Sequence, residues 1–251
     1  MKMNKQKPCV LITGSSRGIG RACALLFASR GYHVFLNCRS HQKALSDVAS
    51  KISSFPGGSC ELCPGDVGDP GDVRKIFDFI RTSDYTDGGL DVLINNAGIS
   101  HIGLLSDMSD AEWMRIVNTN LSSVFYCCRE SIPYMVSRKK GRIVNVSSMW
   151  GQSGASCEAA YSATKSGVQG LTRALAKELA PSNIQVNAIA FGVIDTEMNA
   201  CLSPEERESL AYDIPAGRFA TAEEAARMIW DTAHAPEYMT GQVVGFDGGY
   251  L

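Results

Sequence analysis

Tyr161 and Lys165 stand four positions apart in a segment that has the composition of a helix. This spacing places two side chains on the same helical face. A tyrosine hydroxyl has a pKa of about 10, too high for easy proton exchange at neutral pH, and a neighbouring ammonium lowers that pKa by stabilising the phenolate. The pair is therefore suited to act as a general acid on a ketone or a general base on an alcohol, with Tyr161 transferring the proton.

Two more polar residues can serve the same reaction. Ser148 ends a β-branched run, where its hydroxyl can hydrogen-bond the carbonyl oxygen of a substrate. Asn120 lies in the helical stretch after the fourth predicted strand and can hold a water that links Lys165 to solvent. A tyrosine and a lysine at this spacing more often mark an exposed helix face. Catalysis is favoured here because several such features meet at the carboxyl edge of one predicted sheet.

The segment TGSSRGIG, from Thr13 to Gly20, is a glycine-rich turn between the first predicted strand and the first predicted helix. Glycines let the main chain approach a pyrophosphate closely, and the N–H groups at the start of a helix favour an anion. The spacing G-x-x-x-G-x-G differs from the common dinucleotide fingerprint G-x-G-x-x-G. A turn selected only for packing is the alternative, but its position directly after a strand favours dinucleotide binding.

The end of the second predicted strand bears on the choice of cofactor. A carboxylate there binds the ribose hydroxyls of NAD, whereas an arginine accommodates the 2′-phosphate of NADP. The strand ends in Asn-Cys-Arg-Ser with no acidic residue, and Arg39 is joined by Arg17 from the glycine turn. Two ordinary surface arginines are the alternative. The pattern favours NADPH/NADP+ as the cofactor.

Runs of β-branched residues alternate with longer helical segments along the chain. Strands are predicted at 10–13, 33–37, 61–63, 90–95, 142–147, 185–190 and 242–246, and helices at 19–29, 40–52, 69–81, 109–138, 159–180 and 222–233. Pro133 predicts a kink or early turn in the fourth helix, and 195–219 is predicted to be irregular, with short helices over a cleft. The alternation predicts an α/β protein, a single-domain Rossmann-type doubly wound parallel sheet with helices on both faces. We expect one domain over 1–251, with a cofactor half at about 1–140 and a catalytic and substrate half at about 141–251.

Composition excludes several classes of function. The 24 basic and 26 acidic residues give a formal charge of -2, which favours neither a nucleic-acid nor a membrane partner. The polar start and the short apolar run after it do not resemble a signal peptide, so a cytoplasmic location is expected. The nine cysteines are scattered, and the single C-x-x-C at Cys60 and Cys63 lacks a second pair. No disulfide framework and no metal site are therefore expected.

Taken together, these segments resemble the short-chain dehydrogenase/reductase family over nearly the whole chain. The resemblance rests on 13–20, Asp66-Val67, 95–98, 118–120, Ser147-Ser148, 161–165 and 194–196. It implies a homotetramer or homodimer and a catalytic set of Asn120, Ser148, Tyr161 and Lys165. Together with the turn and arginine arguments, it gives a cofactor-binding set of Gly14, Ser16, Arg17, Gly18, Ile19, Gly20, Arg39, Asp66, Val67, Asn96, Ala97, Gly98, Tyr161, Lys165, Ile194 and Thr196. Asp66 and Val67 would contact the adenine, residues 96–98 would line the cleft, and Ile194 and Thr196 would hold the carboxamide and phosphates.

One position departs from the family pattern. Members usually have Pro-Gly after the sixth strand, and this chain has Phe191-Gly192. Proline fixes φ and stiffens a turn. Phe191 is therefore predicted to loosen the turn and to add an apolar wall beside the nicotinamide.

Two resemblances compete over the substrate. Overall, the chain is similar to reductases of 3-oxoacyl groups on acyl carrier protein, and the basic run 138–142 could meet such an acidic partner at the active-site mouth or be a solvated turn. Locally, 150–158 is similar to bacterial reductases of a 5-aminopentanone carried by a lysine of elongation factor P. Glu158 could pair with that substrate's ammonium or be a helix N-terminal acid, and Trp150 could be a pocket wall or core. We expect the aminopentanone, with the 3-oxoacyl group as the alternative and a non-catalytic NADPH-binding sensor as the alternative of another class.

Overall fold

The computed structural model describes residues 7–200 and 202–251. Its strands are β1 (Cys9–Ile12), β2 (His33–Leu36), β3 (Ser59–Leu62), β4 (Val92–Asn95), β5 (Gly141–Ser148), β6 (Ile184–Phe191), β7 (Ile194–Asp195), β8 (Ala220–Thr221) and β9 (Val243–Phe246). Its α-helices are α1 (Gly18–Ser29), α2 (Gln42–Ser53), α3 (Pro70–Thr82), α4 (Asp110–Val117), α5 (Ser123–Arg138), α6 (Trp150–Ser153), α7 (Ala159–Leu179), α8 (Pro204–Asp213) and α9 (Ala222–Ala233).

Seven strands form one sheet in the order β3-β2-β1-β4-β5-β6-β9, and every neighbouring pair is parallel. The predicted single-domain, doubly wound parallel sheet is confirmed. The strand order reverses between β1 and β4, which is where ligands bind in open sheets of this type, outside the carboxyl ends of the strands. The short strands β7 and β8 pair separately.

The sheet is buried on both faces because successive strand residues point to opposite sides. Val10 and Ile12 of β1 belong to a core with Phe27 of α1 and Ile229 of α9. Leu11, between them, belongs to the core on the other face, together with residues of α3, α5 and α7. Central strands must therefore be apolar throughout, as β1 is, whereas the edge strand β3 contains Ser59 and Glu61 and is only partly buried.

A chain of buried amides ties together the elements that carry the predicted catalytic residues. Nδ2 of Asn95, on β4, donates to Oδ1 of Asn145, on β5, at 2.8 Å. Nδ2 of Asn145 donates in turn to Oγ1 of Thr172, on α7, also at 2.8 Å. Buried polar groups persist only when they are paired, so this chain fixes α7 against β5.

The fourth predicted helix is interrupted at a different place from the one expected. A five-residue π-helical turn, Asn118–Ser122, separates α4 from α5, and Pro133 lies inside α5 without ending it. Pro133 is exposed, so water can reach the carbonyl that its missing N–H leaves unpaired. Pro133 therefore does not make an early turn, and the break in hydrogen-bonding pattern lies in the π-helical turn that contains Asn120.

The predicted irregular stretch contains a regular helix of ten residues, α8. Ser203 and Glu206 form a capping box at its start, with Pro204 in the first turn. None of the residues of α8 is buried. The helix thus depends on its caps and on a few side-chain contacts, which hydrophobic periodicity does not reveal.

The basic run 138–142 is not at the mouth of the predicted site. Gly141 begins β5 and Ser148 ends it, so the run lies at the opposite edge of the sheet, and Arg138 pairs with Asp87 at 3.2 Å. The expectation that this run meets a partner beside the active site is wrong. No helix in the described part of the chain is long and apolar enough to cross a membrane.

Candidate active site

The carboxyl end of β5 and the start of α7 bring three of the four predicted catalytic residues together. Ser148 is buried at the last position of β5, and Tyr161 and Lys165 occupy the first turns of α7. Nζ of Lys165 lies 5.6 Å from the centre of the Tyr161 ring and donates to the carbonyl of Val146 at 2.9 Å. The spacing of four residues does place both side chains on one face.

Burial controls the protonation of this pair. It raises the pKa of Tyr161 to about 12, an effect that the Ser148 hydroxyl opposes and the carboxylate of Glu158 reinforces. It lowers the pKa of Lys165 to about 8. Desolvation is the largest influence on both groups, because burial disfavours the phenolate and the ammonium alike. That Lys165 favours the phenolate of Tyr161 stays a prediction.

Asn120, the fourth predicted catalytic residue, is buried in the π-helical turn. Its amide exchanges two hydrogen bonds of 2.9 Å with the main chain of Ile99. A methyl group on Gly98 would lie 3.5 Å from Oδ1 of Asn120 and 3.6 Å from Nζ of Lys165, so these residues surround one point. The amide of Asn120 thus anchors the loop after β4 to the π-helical turn. That Asn120 holds a water linked to Lys165 stays a prediction.

The glycine turn has the shape of an anion cradle. A methyl group on Gly20 would lie 2.3 Å from the carbonyl oxygen of Gly14, and Gly18 has a φ of +51°. Helix α1 begins at Gly18, its N-cap residue Arg17 makes no side-chain capping bond, and its first turn contains no acidic residue. The N–H groups of the first turn are therefore open to an anion such as a pyrophosphate. The residues present fit the phosphates of a dinucleotide.

Other predicted cofactor residues border this turn. Nη1 of Arg39 lies 3.6 Å from Oδ2 of Asp66, so the residue expected at the ribose pairs with the one expected at the adenine. A methyl group on Gly18 would lie 3.3 Å from Cγ2 of Thr196, which places the segment after β6 against the turn. The other predicted cofactor-binding residues differ in burial. Ser16, Val67 and Ile194 are buried. Partly or fully exposed are Arg17, Ile19, Asn96 and Ala97.

The predicted substrate residues occupy different surroundings. The Trp150 ring is partly buried and meets Tyr250 edge to face at 5.7 Å. Phe191 is only 3% exposed, and its ring packs against Phe246 in the core. The N–H of Gly192 donates to the carbonyl of Phe246 at 2.9 Å. The looser turn expected at Phe191 and the apolar wall beside the nicotinamide both stay predictions.

Glu158 is partly buried at the N-cap of α7, three residues before Tyr161. Its side chain makes no capping bond. Within 7–200 and 202–251, its carboxylate takes part in no hydrogen bond or ion pair. Burial raises its pKa. The alternative that Glu158 serves only as an acid at the start of a helix is thus incomplete, because among the described residues its carboxylate neither caps α7 nor pairs with another side chain.

Several residues that organise the site were missed by sequence reasoning. Oγ1 of Thr13 accepts the N–H groups of Asn96 and Ala97 at 2.9 Å each. Nε2 of Gln169 donates to Oγ of Ser147 at 3.1 Å. Asn37 holds the glycine turn through its side chain. For Thr13 and Asn37 the available signal was a polar residue directly after an apolar strand, which also marks an ordinary turn. Gln169 lies inside α7, where a polar residue carries no such signal.

No cluster of three or more potential metal ligands occurs among the described residues. Cys60 is partly buried, Cys63 is buried, and both are free thiols. Neither the C-x-x-C pair nor any other group in the described ranges forms a metal centre.

A model of the short chain dehydrogenase family matches residues 8–207. The protein belongs to the short-chain dehydrogenase family. It is an oxidoreductase, and members of this family use a nicotinamide cofactor. The cradle at α1 and the tyrosine and lysine on α7 thus lie in a fold of known chemistry.

Similar proteins extend over the same length as this short-chain dehydrogenase. The chain is 40% identical to the 3-oxoacyl-[acyl-carrier-protein] reductase FabG of Thermotoga maritima, over 96% of both chains. It is 37% identical to the uncharacterized oxidoreductase YmfI of Bacillus subtilis, over 99% of both. A crystal structure of a candidate gluconate dehydrogenase from Agrobacterium tumefaciens superposes with a TM-score of 0.90 at 32% identity, over 97% of this chain and 95% of that one.

Gly18→Ala is expected to weaken binding of the nicotinamide cofactor roughly tenfold, because a positive φ costs an L-residue about 1–2 kcal/mol and the new methyl group would press on Thr196. A fluorescence titration with NADPH measures the change. Gly170→Ala is the matched control, since Gly170 is exposed in the middle of α7 with no atom near its side-chain position. It should leave affinity unchanged and raise the melting temperature slightly. Wild-type affinity in Gly18→Ala would contradict the cradle.

Proposed function

We propose that this protein reduces a ketone to a secondary alcohol with NADPH, and that Tyr161 is the proton donor. The observation that carries the proposal is the convergence of Ser148, Tyr161 and Lys165 at the edge of the sheet that also holds the glycine turn. The non-catalytic sensor is the weaker alternative, because a binding protein would not need a buried lysine beside a tyrosine.

The preference for NADPH rests on charge at the adenosine end of the cleft. Asn37 and Cys38, which follow β2 directly, are uncharged. The side chains of Arg17 and Arg39 are exposed there, and a guanidinium binds phosphate in a bidentate manner. Arg39 keeps its contact with Asp66 on one side and would contact a 2′-phosphate with its free nitrogens.

In the reaction, NADPH would supply the hydride to the carbonyl carbon. Ser148 would donate a hydrogen bond to the carbonyl oxygen and hold it beside Tyr161. With a pKa of about 12, Tyr161 is protonated at neutral pH and would give its proton to the oxygen as negative charge develops there. Lys165, when protonated, would stabilise the resulting phenolate, and the π turn at Asn120 would connect Lys165 to solvent through a water.

For the substrate, we favour the 5-aminopentanone borne by a lysine of elongation factor P. The support is Glu158, a partly buried carboxylate near Tyr161 that makes no hydrogen bond or ion pair with the described part of the chain, 7–200 and 202–251. Pairing stabilises a partly desolvated charge, and the substrate's ammonium would pair it. The similarity of 150–158 to reductases of that group points the same way.

A 3-oxoacyl group on acyl carrier protein is the second candidate. It is favoured by the names of relatives such as the reductase of Thermotoga maritima. The basic run 138–142 gives it no support, since the run lies at the far edge of the sheet. In either case we propose a homotetramer or homodimer, supported by exposed apolar side chains on α4 and α5, namely Trp113, Met114 and Phe125.

Tyr161→Phe should lower kcat for reduction of an acetoacetyl thioester or of the aminopentanone by roughly 10²- to 10⁴-fold, the usual loss when a general acid is removed. NADPH affinity should fall far less than kcat, because the other predicted cofactor residues remain. Loss of NADPH absorbance measures turnover, and Tyr238→Phe, at a fully exposed tyrosine, is the control. Full turnover in Tyr161→Phe would remove the proposed proton donor, and NADPH binding by the wild type without turnover of any ketone would favour the sensor.

The pH profile of reduction should follow Lys165. The ammonium is present below its pKa of about 8 and is lost above it, whereas Tyr161 keeps its proton up to a pKa of about 12. We therefore expect kcat/KM for the ketone to be constant below pH 8 and to fall about tenfold per pH unit above it. Lys177→Met, at an exposed lysine of α7, should keep this profile. A profile that stays level well into the alkaline range would exclude this role for Lys165.

Glu158→Gln should lower kcat/KM for elongation factor P that carries the 5-aminopentanone by roughly tenfold or more, because the ammonium loses the opposite charge of the Glu158 carboxylate. Activity on acetoacetyl thioester should change much less, because there the substitution acts only through the pKa of Tyr161. Glu178→Gln, at an exposed position of α7, is the control. Equal effects on both substrates, or none on either, would remove the reason to prefer the aminopentanone.

A further inference from the structure

Asn37 connects three segments of the sheet edge. It follows β2 directly and is only 1% exposed. Its Nδ2 donates to the carbonyls of Cys63 at 2.9 Å and Gly65 at 3.1 Å, both in the loop after β3. Its Oδ1 accepts the N–H of Gly14 at 3.3 Å, in the glycine turn after β1. One side chain thus spans β2 and joins its two neighbours.

The main chain of Asn37 holds the same turn. Its N–H donates to Oγ of Ser15 at 2.9 Å, and its carbonyl accepts the N–H of Ser15 at 2.8 Å. Side chain and main chain together fix the distance between the glycine turn and the loop that carries Asp66. These two segments are the ones that would hold the pyrophosphate and the adenine.

We propose that Asn37 is a positioning residue for the adenosine end of NADPH, which it serves by holding the glycine turn and the loop after β3 at a fixed separation. The inference rests on the proposed function. Only an amide can fill this position: aspartate has the shape but lacks the two donors, and its carboxylate would face the carbonyls of Cys63 and Gly65. Because asparagine is uncharged, Asn37 also places no carboxylate near the proposed site of the 2′-phosphate.

The experiment separates the two ends of the cofactor. Asn37→Ser should weaken binding of adenosine 2′,5′-bisphosphate, measured by calorimetry, by roughly tenfold, the loss expected when buried hydrogen bonds are left unmade. Turnover with reduced nicotinamide mononucleotide, which lacks the adenosine, should keep the wild-type kcat/KM. A role in stability alone would change both readouts or neither.

Asn187→Ser is the matched control. Asn187 is 2% exposed on β6, and its amide likewise bridges main-chain groups, donating to Met239 at 2.9 Å and accepting from Gln242 at 3.0 Å. It lies three strands from β1. Asn187→Ser should lower the melting temperature without weakening binding of the bisphosphate. Ser15→Ala removes the hydroxyl that accepts the N–H of Asn37. It should weaken binding of the bisphosphate less than Asn37→Ser does. If Asn37→Ser does not fold, Ser15→Ala provides the test.

Each outcome bears on the proposal. Unchanged bisphosphate binding in Asn37→Ser, or in Ser15→Ala where only that variant folds, would overturn the positioning role while leaving the proposed reductase intact. Equal weakening in Asn37→Ser and Asn187→Ser would overturn it as well, because the effect would then be general loss of stability. If the wild type itself binds neither the bisphosphate nor NADPH, the proposed cofactor fails and the inference fails with it.

Discussion

Parallel pairing is the constraint on which the rest of the molecule depends. Because all seven strands run the same way, every one of them ends at the same edge, and the loops that follow must share that edge. This brings together the glycine turn after β1, the loop after β4 and Ser148 at the end of β5, although these segments are far apart in the sequence. The amides of Asn95 and Asn145, buried between neighbouring strands, lock the register on which this assembly relies.

The same burial sets the chemistry at Tyr161. A sheet covered on both faces leaves little water around the start of α7, so the charged forms of Tyr161 and Lys165 are both disfavoured. In such surroundings Tyr161 keeps its proton until negative charge develops on a neighbouring oxygen. This is the condition for a general acid, and it arises from desolvation more than from the attraction between lysine and tyrosine that their spacing suggests.

The sequence allowed the fold and the centre of the site to be predicted because both depend on local patterns. Strand and helix periods gave the doubly wound sheet, and a spacing of four residues placed Tyr161 beside Lys165. Features that depend on tertiary contacts were not predictable. The π turn at Asn120, the burial that raises the pKa of Tyr161 and the side of the sheet on which Arg138 lies all follow from how elements pack. Helix α8 was recoverable in principle from Ser203 and Glu206, because a capping box is a local signal.

The charge at the start of α7 bears on the proposed substrate. Glu158 has no side-chain partner among residues 7–200 and 202–251, its partial burial disfavours the charged carboxylate, and that carboxylate also raises the pKa of Tyr161. A cationic group bound beside Glu158 would offset both effects at once: it would stabilise the carboxylate and would favour release of the proton from Tyr161. An acyl chain would leave both penalties in place. This is the electrostatic argument behind the proposal that the substrate carries its own positive charge.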